Sequence, residues 1–170
     1  MEQENIILKE RARKIAGRKN NENQIIGEYI SVVEFLLAPE IYAFEDKYVT
    51  EVLSLKEITT IPGTPAFVMG VINLRGRIIS VINLKVLFKL KERGLTELNK
   101  VILLKNDIME FGIVVDSIIG NKTISINSLS PVPLTLDNIG IEYITGVVPD
   151  GLILLNAENL LSSKQIIVTK

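Results

Sequence analysis

Residues 61–84 read Ile-Pro-Gly-Thr-Pro-Ala-Phe-Val-Met-Gly-Val-Ile-Asn-Leu-Arg-Gly-Arg-Ile-Ile-Ser-Val-Ile-Asn-Leu. Two runs rich in Val and Ile, 67–73 and 77–83, flank Leu74-Arg75-Gly76. β-branched side chains are stiff at χ1 and pack well on a pleated surface, so such runs form strands. Asn73 at the first position of a tight turn and Gly76 at the fourth fit type I turn chemistry. The stretch therefore reads as a β-hairpin with Leu74 and Arg75 at its tip and Arg77 just beyond. Thr64 as a cap and Pro65 at a first helical position predict one helical turn leading into Ala66, Phe67 and Val68. A rigid hairpin holding out an arginine is a recognition element, because the guanidinium fork binds a carboxylate with two hydrogen bonds.

The same texture fills most of the 170 residues. Ile and Val together (26 and 15) outnumber Leu (21), which favours strands over helices. Expected strands cover 29–38, 41–46, 48–54, 67–73, 77–83, 100–106, 110–116, 123–126, 141–148 and 151–156. Pro39, Gly76, Gly94, Gly120, Pro131, Pro133, Pro149 and Gly151 punctuate them. Short helices are expected at 84–90 and at 157–162, the latter capped by Asn156. Many short strands with turn residues between them indicate a sandwich or closed barrels. About eight strands already fill one small barrel with side chains, so ten strands fit two barrels of about five each. The fold class is all-β. No sequence repeat between the halves is evident.

Composition narrows the chemistry. The chain has no His, Cys or Trp. Disulfides, thiolate and Ser-His nucleophiles and the usual zinc sets are thereby excluded, and no metal or cofactor site is expected. Neither a G-x-x-x-x-G-K-[ST] loop nor a G-x-G-x-x-G turn occurs. A net charge of −1 and a pI near 5.6 give no field that collects nucleic acid. Single-strand or oligosaccharide binding by a small barrel needs a basic groove with stacking aromatics, and aromatics are only 5%. An enzyme would have to work with carboxylates, Lys or hydroxyls alone. No apolar run reaches the roughly 18 residues of a membrane span, and no secretion signal opens the chain. Asn121-Lys122-Thr123 fits a glycosylation sequon, read here as chance. Residues 1–23 carry six basic side chains against four Glu, with Leu8, Ala12, Ile15 and Ala16 at helical spacing. They read as a solvated tail or a short helix over 5–16 ending at Gly17.

With these residues in view, 61–84 resembles the signature of the CheW family of bacterial chemotaxis coupling proteins. Other segments fit in the same order. Ile41-Tyr-Ala-Phe-Glu45 with Val49-Thr-Glu-Val52 resembles the opening strands. Phe111-Gly-Ile-Val-Val-Asp116 resembles the central strand of the second half. Glu142-Tyr-Ile-Thr-Gly-Val147, Leu152-Ile-Leu-Leu155 and Glu158–Leu161 resemble the closing strands and helix. The resemblance covers about 29–161 and implies two side-by-side five-stranded SH3-like barrels with a few short helices. It divides the chain into an N-terminal extension, 1–28, and a CheW-like domain, 29–165, made of two intertwined barrel subdomains.

The resemblance further implies a non-enzymatic adaptor. Its partners would be the cytoplasmic tips of methyl-accepting chemoreceptors and the regulatory domain of a CheA-type histidine kinase, with self-association in array rings. The protein would be cytoplasmic, recruited to the inner face of the membrane through receptor arrays, without inserting in the membrane or binding nucleic acid. The alternative within this class is the coupling protein of a related array that controls pili, gliding or gene expression. Carried over by motif, Val49 and Glu51 match receptor-side positions, and Gly70, Arg75 and Gly76 match functionally sensitive ones. Asp116 and Gly146 match recurring positions of the second half. Glu51 and Arg75 are expected to meet across the surface. An apolar trough between the barrels is expected to take the receptor tip, with Val49 partly exposed in it. Ser80 and Asn83 depart from the residues usual in the family, Pro and Asp.

Overall fold

The structure is a computed structural model that describes residues 27–92, 94–132 and 140–166. The expected helix over 5–16 and nearly all of the 1–28 extension lie outside the described residues. Ten strands carry the fold: β1 Tyr29–Leu37, β2 Glu40–Glu45, β3 Val49–Ser54, β4 Val68–Leu74, β5 Arg77–Asn83, β6 Lys100–Lys105, β7 Glu110–Val115, β8 Ser117–Ser125, β9 Ile144–Val147 and β10 Ile153–Leu155. Two short helices follow β5 and β10, α1 Leu84–Leu87 and α2 Ala157–Leu161.

The strands form two five-stranded sheets, ordered β3-β6-β7-β5-β4 and β8-β1-β2-β10-β9. Each sheet curls until its edges meet. Thr59, just past β3, exchanges two backbone hydrogen bonds with Val71 on β4, at 2.9 and 2.8 Å. Ser130, just past β8, does the same with Val147 on β9, at 2.9 and 3.0 Å. These bridges close barrel 1 (β3–β7) and barrel 2 (β1, β2, β8–β10). Register shifts on β3, β4, β8 and β9 add the bends that closure needs.

The two barrels repeat one plan. In both, the strand after the bridged edge strand runs parallel to a central strand, β5 with β7 and β10 with β2. The carbonyl of Phe67 accepts from the Asn83 amide at 2.8 Å, and that of Tyr143 from the Asn156 amide at 2.7 Å. Asn83 and Asn156 each then cap the helix that follows. Matched this way, Phe67-Val-Met-Gly-Val-Ile lies on Tyr143-Ile-Thr-Gly-Val-Val. The halves do share a repeat, contrary to the sequence reading. It is short, and the hairpin between its matched ends differs in length.

Where the two sheets face each other, alternate residues on one strand serve different cores. On β6, Val101 and Leu103 fill barrel 1 while Ile102 and Leu104 point to the other barrel. Both faces are buried, so Val101-Ile-Leu-Leu104 is apolar without interruption. Among the described residues, the cluster between the barrels holds twenty buried residues, against seven inside barrel 1 and five inside barrel 2. Phe35, Tyr42 and Phe44 of barrel 2 join Ile82, Phe111 and Ile113 of barrel 1 in that seam. The largest apolar core therefore joins the barrels rather than filling either one.

Several local expectations are corrected. The segment 64–68 forms no helix: the Pro65 carbonyl accepts from Val68 N at 2.9 Å in a single turn, and the Thr64 hydroxyl donates back to Ile61 O instead of capping. Strand β8 starts six residues before the expected 123, because a bulge opposite Glu34 and Phe35 interrupts its apolar alternation. Residues 141–143 make a 3-10 turn ahead of β9. Helix α1 stops early because Lys89 turns to φ +55°, and Leu90 N then donates to Lys85 O at 2.7 Å.

Candidate functional site

The β4–β5 hairpin turns one residue later than the expected type I turn. Leu74 pairs with Arg77, leaving a two-residue loop of Arg75 and Gly76, whose φ values are +51° and +84°. Positive φ at both positions makes a type I′ turn, whose twist matches that of the flanking strands. Asn73 Oδ1 accepts from Gly76 N at 2.9 Å. Leu74 is consequently buried in barrel 1 rather than held at the tip, which belongs to Arg75.

Arg75 reaches across to β3. Its two terminal nitrogens donate to the two carboxylate oxygens of Glu51, at 2.9 and 3.3 Å. Glu51 and Arg75 thus meet, as expected. The Arg75 side chain is 73% exposed, so the pair itself contributes only about 0–1 kcal/mol. On the other flank Arg77 pairs with Glu110 of β7 at 2.6 Å. The tip is braced on both sides. The sequence reading did not pair Arg77 with Glu110.

Gly70 lies at the far end of β4, buried against the closing bridge. Its φ is +143°, and a Cβ there would sit 2.2 Å from Thr59 O. Gly146 is the matching residue of barrel 2, where a Cβ would lie 3.1 Å from Ser130 O and from Leu129 Cβ. Asp116 stands between β7 and β8, where the chain leaves barrel 1 for barrel 2. It binds the ammonium of Lys85 through both oxygens, at 2.8 and 2.7 Å, and accepts from Ala38 N at 2.8 Å. Lys85 is 5% exposed. Nothing in Leu84-Lys-Val-Leu87 marks a buried cation in the sequence.

Val49 is half-buried and packs on the core between the barrels. Beside it lies a groove of about 440 Å³, lined by Lys47, Tyr48, Thr50, Lys105, Asn106, Asp107 and Glu158. Asn106 of barrel 1 donates to Glu158 at the start of α2 in barrel 2, at 3.2 Å, so both barrels contribute. The lining is built from polar and aromatic side chains rather than the expected aliphatics, yet lysine stems and the Tyr48 ring leave its surface more apolar than polar. It is drawn from a 3-10 turn, the β6–β7 turn and a helix start, where polar strand ends collect. Lys47 lies 5.1 Å over the Tyr48 ring, and its hydrogen bond to Glu45 holds its ammonium above the ordinary range. Partial burial pushes the Tyr48 hydroxyl up.

Ser80 is exposed on β5. Asn83 Oδ1 accepts from Lys85 N at 3.0 Å, a cap that Asp also makes, while its Nδ2 donates to Glu92 at 3.0 Å, which Asp could not do. Among the described residues no cluster of metal-ligating side chains occurs.

The CheW-like domain family matches residues 31–165, which takes in both barrels and the groove. The chain belongs to the CheW-like family. Chemotaxis protein CheW of Treponema pallidum is 34% identical over 146 residues, 82% of this chain and 86% of that protein. Chemotaxis protein CheW of Klebsiella aerogenes is 34% identical over 134 residues, 77% of this chain and 81% of that one. The crystal structure of the scaffolding protein TtCheW from Thermoanaerobacter tengcongensis superposes with a TM-score of 0.70 at 32% identity, covering 80% of this chain and 94% of that one. The CheW-like match thus spans the hairpin with Arg75, the edge strand with Glu51 and the crossover with Asp116.

Proposed function

We propose that this chain is a non-enzymatic adaptor that couples chemoreceptors to a CheA-type histidine kinase in bacterial chemotaxis. The observation that carries this reading is the CheW-like match over 31–165, whose relatives are named as chemotaxis and scaffolding proteins. The geometry supports it: two barrels joined through an apolar seam present a groove and a braced arginine. A receptor tip is a helical hairpin, and its anchors would enter the groove beside Val49, with Glu51 on the receptor side. Arg75, held out by the turn at Gly76, would meet the receptor or the kinase. Gly70 and Gly146 would act through barrel closure and Asp116 through the seam, each shaping the contact surfaces. Among the described residues no helix is long and apolar enough to cross a membrane, and receptors would bring the adaptor to the inner face.

The test is kinase activation in reconstituted receptor–kinase complexes with the Arg75→Glu chain. The exposed pair contributes at most about 1 kcal/mol, so the melting temperature should fall by no more than about 2–4 °C. Kinase activation should nevertheless be impaired. If the double change Glu51→Arg with Arg75→Glu restores activation, the internal pair is what matters. If activation stays low, the residues act on a partner. Full activation by Arg75→Glu with unchanged melting would remove Arg75 from the site.

A further inference from the structure

Lys85 has no part in the braced hairpin or the groove, yet it is the most deeply buried ammonium among the described residues. Burying a charge is costly, and a buried ion pair is often no more stabilising than apolar side chains of the same size. The seam already holds the barrels together with apolar surface. The pair is therefore poorly explained as added stability, and its geometry explains it better.

The sheet order leaves two chain crossovers between the barrels, at residues 46–48 and at Asp116. Asp116 is fixed from both sides. Its own amide donates to Leu36 O at 2.9 Å and its carboxylate accepts from Ala38 N, both in the β1–β2 corner of barrel 2. Lys85 comes from α1, on the barrel 1 side, and grips both oxygens. Its own amide is held by Asn83 Oδ1. Apolar contacts are non-directional, whereas hydrogen bonds have direction and length. One carboxylate bound by donors from two barrels fixes their register.

We propose that Lys85 is a positioning residue: by pinning Asp116 it locks the orientation of barrel 1 on barrel 2, and with it the shape of the groove that both barrels line. The use of this lock rests on the adaptor reading; the lock itself is tested without any partner. The chain has no cysteine, so Ser80→Cys on β5 and Thr123→Cys on β8, both exposed, place one spin label on each barrel. Double electron–electron resonance on the full chain should give one narrow distance distribution. In Lys85→Met, still folded by circular dichroism, that distribution should widen at least twofold. If Lys85→Met alone fails to fold, the double variant Lys85→Met with Asp116→Asn removes both charges and keeps an acceptor for Ala38 N. A widened distribution in the folded double variant supports the lock. A distribution as narrow as the parent's in either folded variant overturns it, and so does failure of both to fold, which would make the pair a stability element. Affinity of the widened variant for a receptor-tip fragment should fall about tenfold. Unchanged affinity would detach the lock from the groove, whereas a parent chain that binds no receptor fragment would count against the adaptor reading and leave the lock standing.

Discussion

Replacing Gly70 by alanine should damage barrel 1 far more than the matching change at Gly146 damages barrel 2. A Cβ on Gly70 would lie 2.2 Å from Thr59 O, 2.8 Å from Thr59 C and 2.9 Å from Ile58 Cγ2. Thr59 O is the acceptor of the closing hydrogen bond from Val71 N. Relief means moving that carbonyl by about 1 Å, enough to lose both bonds of the bridge, at about 1 kcal/mol each. Alanine must also hold φ at +143°, a strained conformation that costs a further 1–3 kcal/mol or so. The sum is about 3–5 kcal/mol, or roughly 6–20 °C in melting temperature for a domain of this size. At Gly146 the contacts are 3.1 Å and φ is outside the left-handed region, so the neighbours need yield only a few tenths of an ångström. That change should cost about 1 kcal/mol or less, some 2–4 °C. Differential scanning calorimetry gives the two melting temperatures, and amide exchange at Val71 reports the bridge itself. Equal shifts for the two variants, or a smaller one for Gly70→Ala, would falsify the account of how barrel 1 closes.

Three further outcomes follow from the seam. Tyr42 is fully buried and its hydroxyl has no hydrogen-bond partner among the described residues, so Tyr42→Phe should raise stability by about 1 kcal/mol in urea titrations. Burial first, and Glu40 second, push that hydroxyl up to about 12, so the folded state favours its neutral form; the parent should lose stability as pH rises from about 10 to 12, and Tyr42→Phe should lose less. Phe44→Ala should cost about 3–5 kcal/mol and yet leave one calorimetric transition with matching van't Hoff and calorimetric enthalpies, since the seam is common to both barrels; two separated transitions would refute a shared core.

Most strands were legible because their signal is local: Val and Ile in short runs, stopped by Gly and Pro. The meeting of Glu51 and Arg75 was legible only through the motif match, since nothing in spacing links β3 to a hairpin tip 24 residues away. The turn was placed one residue too early because Asn73 and Gly76 suit a type I turn; the buried Leu74 shifts it, and only tertiary packing shows which face of β4 lies inside. The make-up of the groove lining escaped notice because its residues come from three segments far apart in sequence. Lys85 is the clearest case: a lysine beside apolar residues on a short helix reads as a solvated one, and the carboxylate that holds it lies 31 residues away. The repeat around Gly70 and Gly146 was hidden because only the glycine and the valine that follows are identical, while Met69 and Thr145 differ in type and the other neighbours are merely similar.

The strand order also sets a timetable. Barrel 1 occupies one unbroken stretch, Val49–Val115, and is inserted between the two parts of barrel 2. As the chain is synthesised, β1 and β2 appear first and form a lone hairpin, which is marginal in water. Their remaining partners, β8 and β10, emerge some 70 or more residues later, roughly 4–14 s at ordinary elongation rates. Barrel 1 can close during that interval, and its face of Ile82, Ile102 and Ile113 is then the surface on which the waiting hairpin can lay Phe35 and Phe44. The central domain would thus template the outer one. A circular permutant opened just before Val49, with β1 and β2 moved behind β10, keeps every pairing and makes each barrel contiguous.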